Sequence, residues 1–164
     1  MEEKQPILIS ACLVGVCCRY DGKSTLIDHI EQLKKQYHLI PVCPEVYGGL
    51  PTPRESAEKI EKRVVTASGL DVTDSFTKGS LQCLQLGLLL GCKKAILQDR
   101  SPSCGYGKIY DGTFSGRTIK GNGLFAELLD NQGFLIVSSS KIEVLLQQKG
   151  ELKTSLPAEV ECSC

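Results

Sequence analysis

The sequence predicts one three-layer α/β domain built on a mainly parallel, Rossmann-like sheet, with cysteines at the carboxyl ends of its strands. Three observations carry that expectation. Four short, largely apolar runs (Ile7-Leu8-Ile9, Leu39-Ile40-Pro41-Val42, Lys94-Ala95-Ile96-Leu97 and Phe134-Leu135-Ile136-Val137) read as buried strands. Helical patterns separate them, and strands alternating with helices imply parallel pairing through right-handed crossovers. At 164 residues the chain is long enough to bury most of its apolar surface in a single core. Residues 1–150 are assigned to that domain and 151–164 to a C-terminal tail.

The first strand runs into Ser10-Ala11-Cys12-Leu13-Val14-Gly15-Val16-Cys17-Cys18-Arg19-Tyr20-Asp21-Gly22, a loop closed by an Asp-Gly turn signal. A helix is expected from about Leu26 to Gln36, with Ser24 or Thr25 as its N-cap and Leu26, Ile27, Ile30 and Leu33 on one face. The second strand, Leu39 to Val42, opens into a proline-locked loop that holds Cys43, Glu45 and Arg54. Lys59 to Val65 mixes charge with Ile60, Val64 and Val65 and is assigned no element. Asp71-Val72-Thr73-Asp74 offers caps for a long helix through Phe76, Leu81, Leu84 and Leu88, in which Gly87 permits close packing and Gly91 is a stop. The third strand exits through Gln98-Asp99-Arg100-Ser101-Pro102-Ser103-Cys104-Gly105, and Ile109 to Phe114 suggests a hairpin or lid over the strand ends. A short helix from Gly123 to Asn131, the fourth strand and a last helix from Lys141 to Gln148 complete the domain.

Composition narrows the function. Lys plus Arg and Asp plus Glu both number 19, and aromatics make up 5% with no Trp, so no stable nucleic-acid partner is expected. No apolar run is long enough to span a bilayer, and the start Met1-Glu2-Glu3-Lys4 is acidic, unlike a signal peptide, so the chain reads as cytoplasmic. Nine cysteines, an odd number with no sign of secretion, argue for metal or thiol chemistry over a disulfide framework.

In a parallel sheet all strands end at one edge, and ligands bind there. Cys12, Cys43 and Cys104 each follow a predicted strand, so the fold would gather three thiols at that edge. Such a set suits a soft metal: an iron–sulfur cluster with one iron left open, or zinc held by three thiolates and a water. Cys17 or Cys18 could stand in for Cys12. Cys83 and Cys92 fit core filling, Cys162 and Cys164 an exposed tail pair, and His29 and His38 ordinary helix-surface and strand-flanking positions. Glu45, two residues past a candidate ligand, is placed to orient or deprotonate water. Ser101 and Ser103 could cap turns or donate to a substrate. Arg19, Arg54 and Arg100 could bind an anion or pair with Glu45, and Asp21 and Asp111 fit turn formation before glycine.

These residues also form recognisable motifs. Ser10-Ala11-Cys12-Leu13-x-Gly15, Arg19-Tyr20-Asp21-Gly22, Cys43-Pro44-Glu45-Val46-x-Gly48-Gly49-Leu50-Pro51-x-Pro53-Arg54 and Ser101-Pro102-Ser103-Cys104-Gly105 with Ile109-Tyr110-Asp111-Gly112-Thr113-Phe114 resemble the TudS-type thiouracil desulfidases. The resemblance implies a [4Fe-4S] cluster on Cys12, Cys43 and Cys104, with Glu45 and Ser101 catalytic. It implies a small thiolated pyrimidine as substrate, desulfurised without net redox change; Ser103, Arg54 and Arg19, from the same loops, are the candidate substrate-binding residues. A non-catalytic metal-binding or redox-sensing module and a zinc hydrolase are the competing readings.

Overall fold

The computed structural model describes residues 3–147, so the tail with Cys162 and Cys164 lies outside the described residues. Along the chain run β1 (Gln5–Ser10), α1 (Ile30–Gln36), β2 (Tyr37–Val42), α2 (Pro44–Tyr47), β3 (Ala57–Ile60), β4 (Arg63–Thr66), α3 (Thr73–Leu89), β5 (Lys94–Leu97), β6 (Lys108–Tyr110), β7 (Thr118–Lys120), α4 (Leu124–Asn131), β8 (Leu135–Ser138) and α5 (Glu143–Leu146). The four predicted strands form one sheet in the order β2-β1-β5-β8, parallel throughout.

Period-two alternation sorts the sheet's side chains into two cores. Ile7, Ile9, Ile96 and Val137 pack with Leu33 of α1 and Leu145 of α5. Leu8, Ala95, Leu97 and Ile136 pack on the other side with Leu84 of α3 and Phe125 and Leu129 of α4. Helices thus cover both faces, which is why the strands read as nearly unbroken apolar runs. This is the predicted three-layer arrangement.

The crossover from β1 leads through α1 to β2 on one side, whereas β5 lies on the other side of β1. The chain order therefore reverses between β1 and β5, the place where such sheets bind ligands. Pairing there is confined to Leu8↔Ala95 and Ile9↔Ile96. Just beyond, the Gln98 backbone N–H donates to the Ser10 hydroxyl at 2.9 Å, so a side chain bridges the two strand ends.

Three elements differ from expectation. α1 starts at Ile30, later than Leu26, because the backbone N–H groups of Thr25 and Ile27 donate back to the carbonyls of Cys12 and Leu13 at 2.9 and 3.1 Å. That segment belongs to the first loop, and the Thr25 hydroxyl accepts from Arg19 Nη1 at 2.8 Å, leaving α1 uncapped by it. The unassigned Lys59–Val65 region is the antiparallel hairpin β3–β4, turning at Glu61 with φ 55°. The last helix shortens to a 3-10 turn at Ser139–Lys141 followed by α5. The expected hairpin near Ile109–Phe114 is present as β6–β7.

Glycines set how closely α3 approaches its neighbours. A Cβ on Gly87 would press against a methyl of Leu8 at 2.7 Å, as the sequence suggested. The contact at Gly79 is closer, because a Cβ there would overlap the Pro44 carbonyl oxygen at the start of α2. Backbone, unlike a side-chain tip, cannot swing aside. Gly79→Ala is expected to destabilise the fold by roughly 1–3 kcal/mol and to displace the loop carrying Cys43 and Glu45. Urea denaturation would show a lower midpoint at unchanged slope; an unaltered midpoint would refute the close-approach account.

Candidate active site

Three loops and two hairpins enclose a cavity of about 590 Å³ at the carboxyl edge of the sheet. Cys12 enters it from the 3-10 turn Ala11–Val14 that follows β1 directly, and Cys43 from the residue between β2 and α2. Cys104 enters from the loop after β5. That loop is fastened to α4, because the Ser103 carbonyl accepts the N–H groups of Phe125 and Ala126 at 2.9 and 3.1 Å. All three predicted thiols line the cavity, and so does Cys18. Cys12, Cys18 and Cys104 are buried, and Cys43 is partly exposed.

The Cys18 thiol interacts with the thiols of both Cys12 and Cys43, and the contact with Cys12 is the chief reason its pKa is pushed up to about 11. The same contact with Cys18, followed by burial, raises Cys43. Burial pushes Cys104 up to about 12. Thiolates are the metal-binding form, so a metal entering here must displace protons from these sulfurs. Among the described residues no three His, Cys, Asp or Glu side chains surround a point that one metal ion could occupy. The donor set is soft and spread around the cavity, which suits a polynuclear centre better than a lone zinc.

Glu45 lines the same cavity as part of a largely buried ion pair. Arg54 Nε donates to Glu45 Oε2 at 2.8 Å and Nη2 lies 2.6 Å from the same oxygen, with side-chain exposures of 8% for Arg54 and 14% for Glu45. Its remaining donors go to the Cys18 carbonyl at 2.9 Å, the Pro51 carbonyl at 3.1 Å and the Thr52 hydroxyl at 3.1 Å. Arg54 therefore takes the pairing role suggested by the sequence and ties the Glu45 loop to the Cys18 loop. The other Glu45 oxygen accepts from the Ser103 hydroxyl at 3.1 Å, which also lies 2.9 Å from the Ser101 hydroxyl and 3.7 Å from the Cys104 sulfur. Ser101 Oγ in turn accepts the N–H groups of Ser103 and Cys104 at 3.2 and 3.1 Å. Ser101 thus caps the turn and reaches Glu45 only through Ser103.

Arg19 lines the cavity with its charge met by Asp21, at 3.2 Å from both Nε and Nη2. Arg100 has φ 61° and holds its guanidinium 5.7 Å from the centroid of the Tyr110 ring. Asp21 and Asp111 form the expected turns by accepting the N–H groups of Lys23 and Thr113. Cys83 and Cys92 sit in the apolar core. His29 faces Glu143 at 3.9 Å and His38 lies exposed within β2, so neither reaches the cavity.

Glu58, Gln98, Tyr110 and Phe114 also line the cavity; Tyr110 and Phe114 lie in the segment expected as a hairpin or lid over the strand ends, whereas the sequence assigned Glu58 and Gln98 no part in it. Glu58 is buried on β3 and accepts the N–H groups of Gly112 and Phe114 at 2.8 and 3.0 Å, which holds the β6–β7 loop as a wall of the cavity. Gln98 is the first residue past β5, a position that the strand-end rule marks without naming its role.

The arrangement defines a class of protein: a parallel α/β domain whose strand ends gather several thiols around one cavity with the positioned carboxylate of Glu45. The pattern of the 2-thiouracil desulfurase family matches residues 7–141, and the chain belongs to that family. It is 39% identical over 150 residues to the protein YbbK of Bacillus subtilis (strain 168), a match covering 85% of this chain and 99% of YbbK. Among solved structures, a [4Fe-4S]-dependent thiouracil desulfidase, TudS, superposes with a TM-score of 0.83 at 41% identity, covering 88% of this chain and 97% of TudS. No helix among the described residues is long and apolar enough to cross a membrane.

Proposed function

We propose that the protein is a [4Fe-4S]-dependent desulfidase that converts thiouracil, or a thiouridine derivative, to the uracil-type product and hydrosulfide without net redox change. The observation that carries this reading is the meeting of Cys12, Cys43 and Cys104 with Glu45 around one cavity, in a chain 41% identical to a protein of that activity. The three cysteines would hold the cluster. When bound, a cluster with three protein ligands keeps one iron open as a Lewis acid toward the thiocarbonyl sulfur.

The chain's own groups supply the rest. Water replaces sulfur at the thiocarbonyl carbon: the C=S bond gives way to C=O, and of water's two hydrogens one leaves with the sulfur as hydrosulfide and the other as a proton, so no electrons are exchanged. Glu45 orients that water and takes its proton. The Arg54 ion pair keeps one Glu45 oxygen in place, and Ser103 holds the other. Ser101 steadies the Ser103 hydroxyl. The aromatic wall of Tyr110 and Phe114 shields a planar base from solvent.

Anaerobic reconstitution with iron and sulfide tests the proposal. The expected result is loss of thiouracil absorbance with one hydrosulfide per uracil formed and no added reductant. A colourless protein with one zinc and no acid-labile sulfide would favour the zinc hydrolase, and a cluster-loaded protein with no turnover of any thiolated pyrimidine would favour a sensor.

A further inference from the structure

Gln98 sits where β1 and β5 part, and its backbone is held there by the Ser10 hydroxyl at 2.9 Å. Its side chain lines the cavity, and its Oε1 is buried with no hydrogen-bond partner. An unpaired buried amide oxygen costs about 1–3 kcal/mol, and because no hydrogen bond fixes this oxygen the amide can turn it toward a ligand in the cavity. The cavity already places soft-metal ligands on one side and the aromatic groups Tyr110 and Phe114 on another. What the amide adds is an in-plane hydrogen-bonding edge.

Resting on the thiouracil reading above, we infer that Gln98 recognises the imide edge of the pyrimidine, its Oε1 accepting the ring N3–H and its Nε2 donating to the neighbouring ring carbonyl. The chemistry of the substrates favours this edge. N3 is flanked by C2 and C4, so it is the one N–H adjacent to the thiocarbonyl in both 2-thiouracil and 4-thiouracil. In each isomer the other flanking carbon keeps its oxygen. One amide can therefore serve both isomers with the sulfur turned toward the cysteines. A planar amide meeting a planar imide gives two parallel hydrogen bonds, the geometry by which Asn and Gln read base edges elsewhere. Gln98 is on this account a specificity-determining residue, and methylation at N3 should block it.

The test uses the anaerobically loaded protein, with uracil and 3-methyluracil as equilibrium ligands in calorimetry and 4-thiouracil and its 3-methyl derivative as substrates. The wild type should prefer the N3–H compounds by about tenfold or more in Kd and KM. Gln98→Leu should lose that preference by weakening uracil alone, with iron and sulfide content unchanged. Gln98→Glu keeps an acceptor and should retain preference for N3–H while binding both ligands more weakly. Equal discrimination by the wild type and Gln98→Leu would overturn the inference. Failure of the wild type to desulfurise any thiolated pyrimidine would instead overturn the functional reading, while the uracil titrations would still decide whether Gln98 reads N3–H.

Discussion

Glu45→Gln should lower the desulfidation rate by about 10²–10⁴-fold, the usual worth of a positioned general base, while leaving iron and acid-labile sulfide intact. Glutamine keeps the size and hydrogen-bonding reach of the side chain but cannot take a proton from water. It also leaves Arg54 as a buried cation facing a neutral amide, and an uncompensated buried charge lowers stability. The two effects separate in the double variant Glu45→Gln/Arg54→Met, which should recover thermal stability without recovering activity. If the single variant turned over at the wild-type rate, Glu45 would have no part in proton transfer.

Cys104→Ala should abolish the cluster and with it all activity. Cys104 is buried in the layer formed with α3 and α4, and of the described thiols in that layer, Cys83, Cys92 and Cys104, it alone lines the cavity. A cluster deprived of this ligand keeps only the β1 and β2 loops. Iron analysis and visible absorption after anaerobic reconstitution would report the loss. Cys92→Ala is the matched control, since Cys92 is buried but does not line the cavity; it should cost some stability and keep full iron. Full iron loading in Cys104→Ala would remove this residue from the ligand set.

Much of this site could be read in the sequence because its parts obey the sheet. Cys12 and Cys43 come within two residues of a strand end, and strand ends in a parallel sheet converge whatever their separation along the chain. Glu45 followed from Cys43 by proximity. Gly79 was less legible, since its value lies in a carbonyl oxygen from a loop more than thirty residues earlier, at Pro44. The β3–β4 hairpin escaped because it is a small two-stranded ribbon with Ile60 exposed and Glu58 buried, the reverse of the usual polarity signal. Glu58 is buried because it holds the backbone of the facing loop, a partner no local pattern reveals. Arg19, Arg54 and Arg100 could be placed near the site from sequence, but which of them pairs with Glu45 could not be told. Pairing depends on how two loops fold back, and side-chain type alone leaves the choice open.

The two cores have a consequence for how the molecule holds together. Cys104 belongs to the layer formed with α3 and α4, whereas Cys12 and Cys18 belong to the layer under α1 and α5, with Cys43 packed against it. A ligand gripped by Cys12, Cys43 and Cys104 is therefore a rivet through the sheet's edge, fastening one face of the protein to the other. Under the proposed ligand set, capture of the cluster would stabilise the fold by linkage, and the centre proposed to do the chemistry would also be a structural joint.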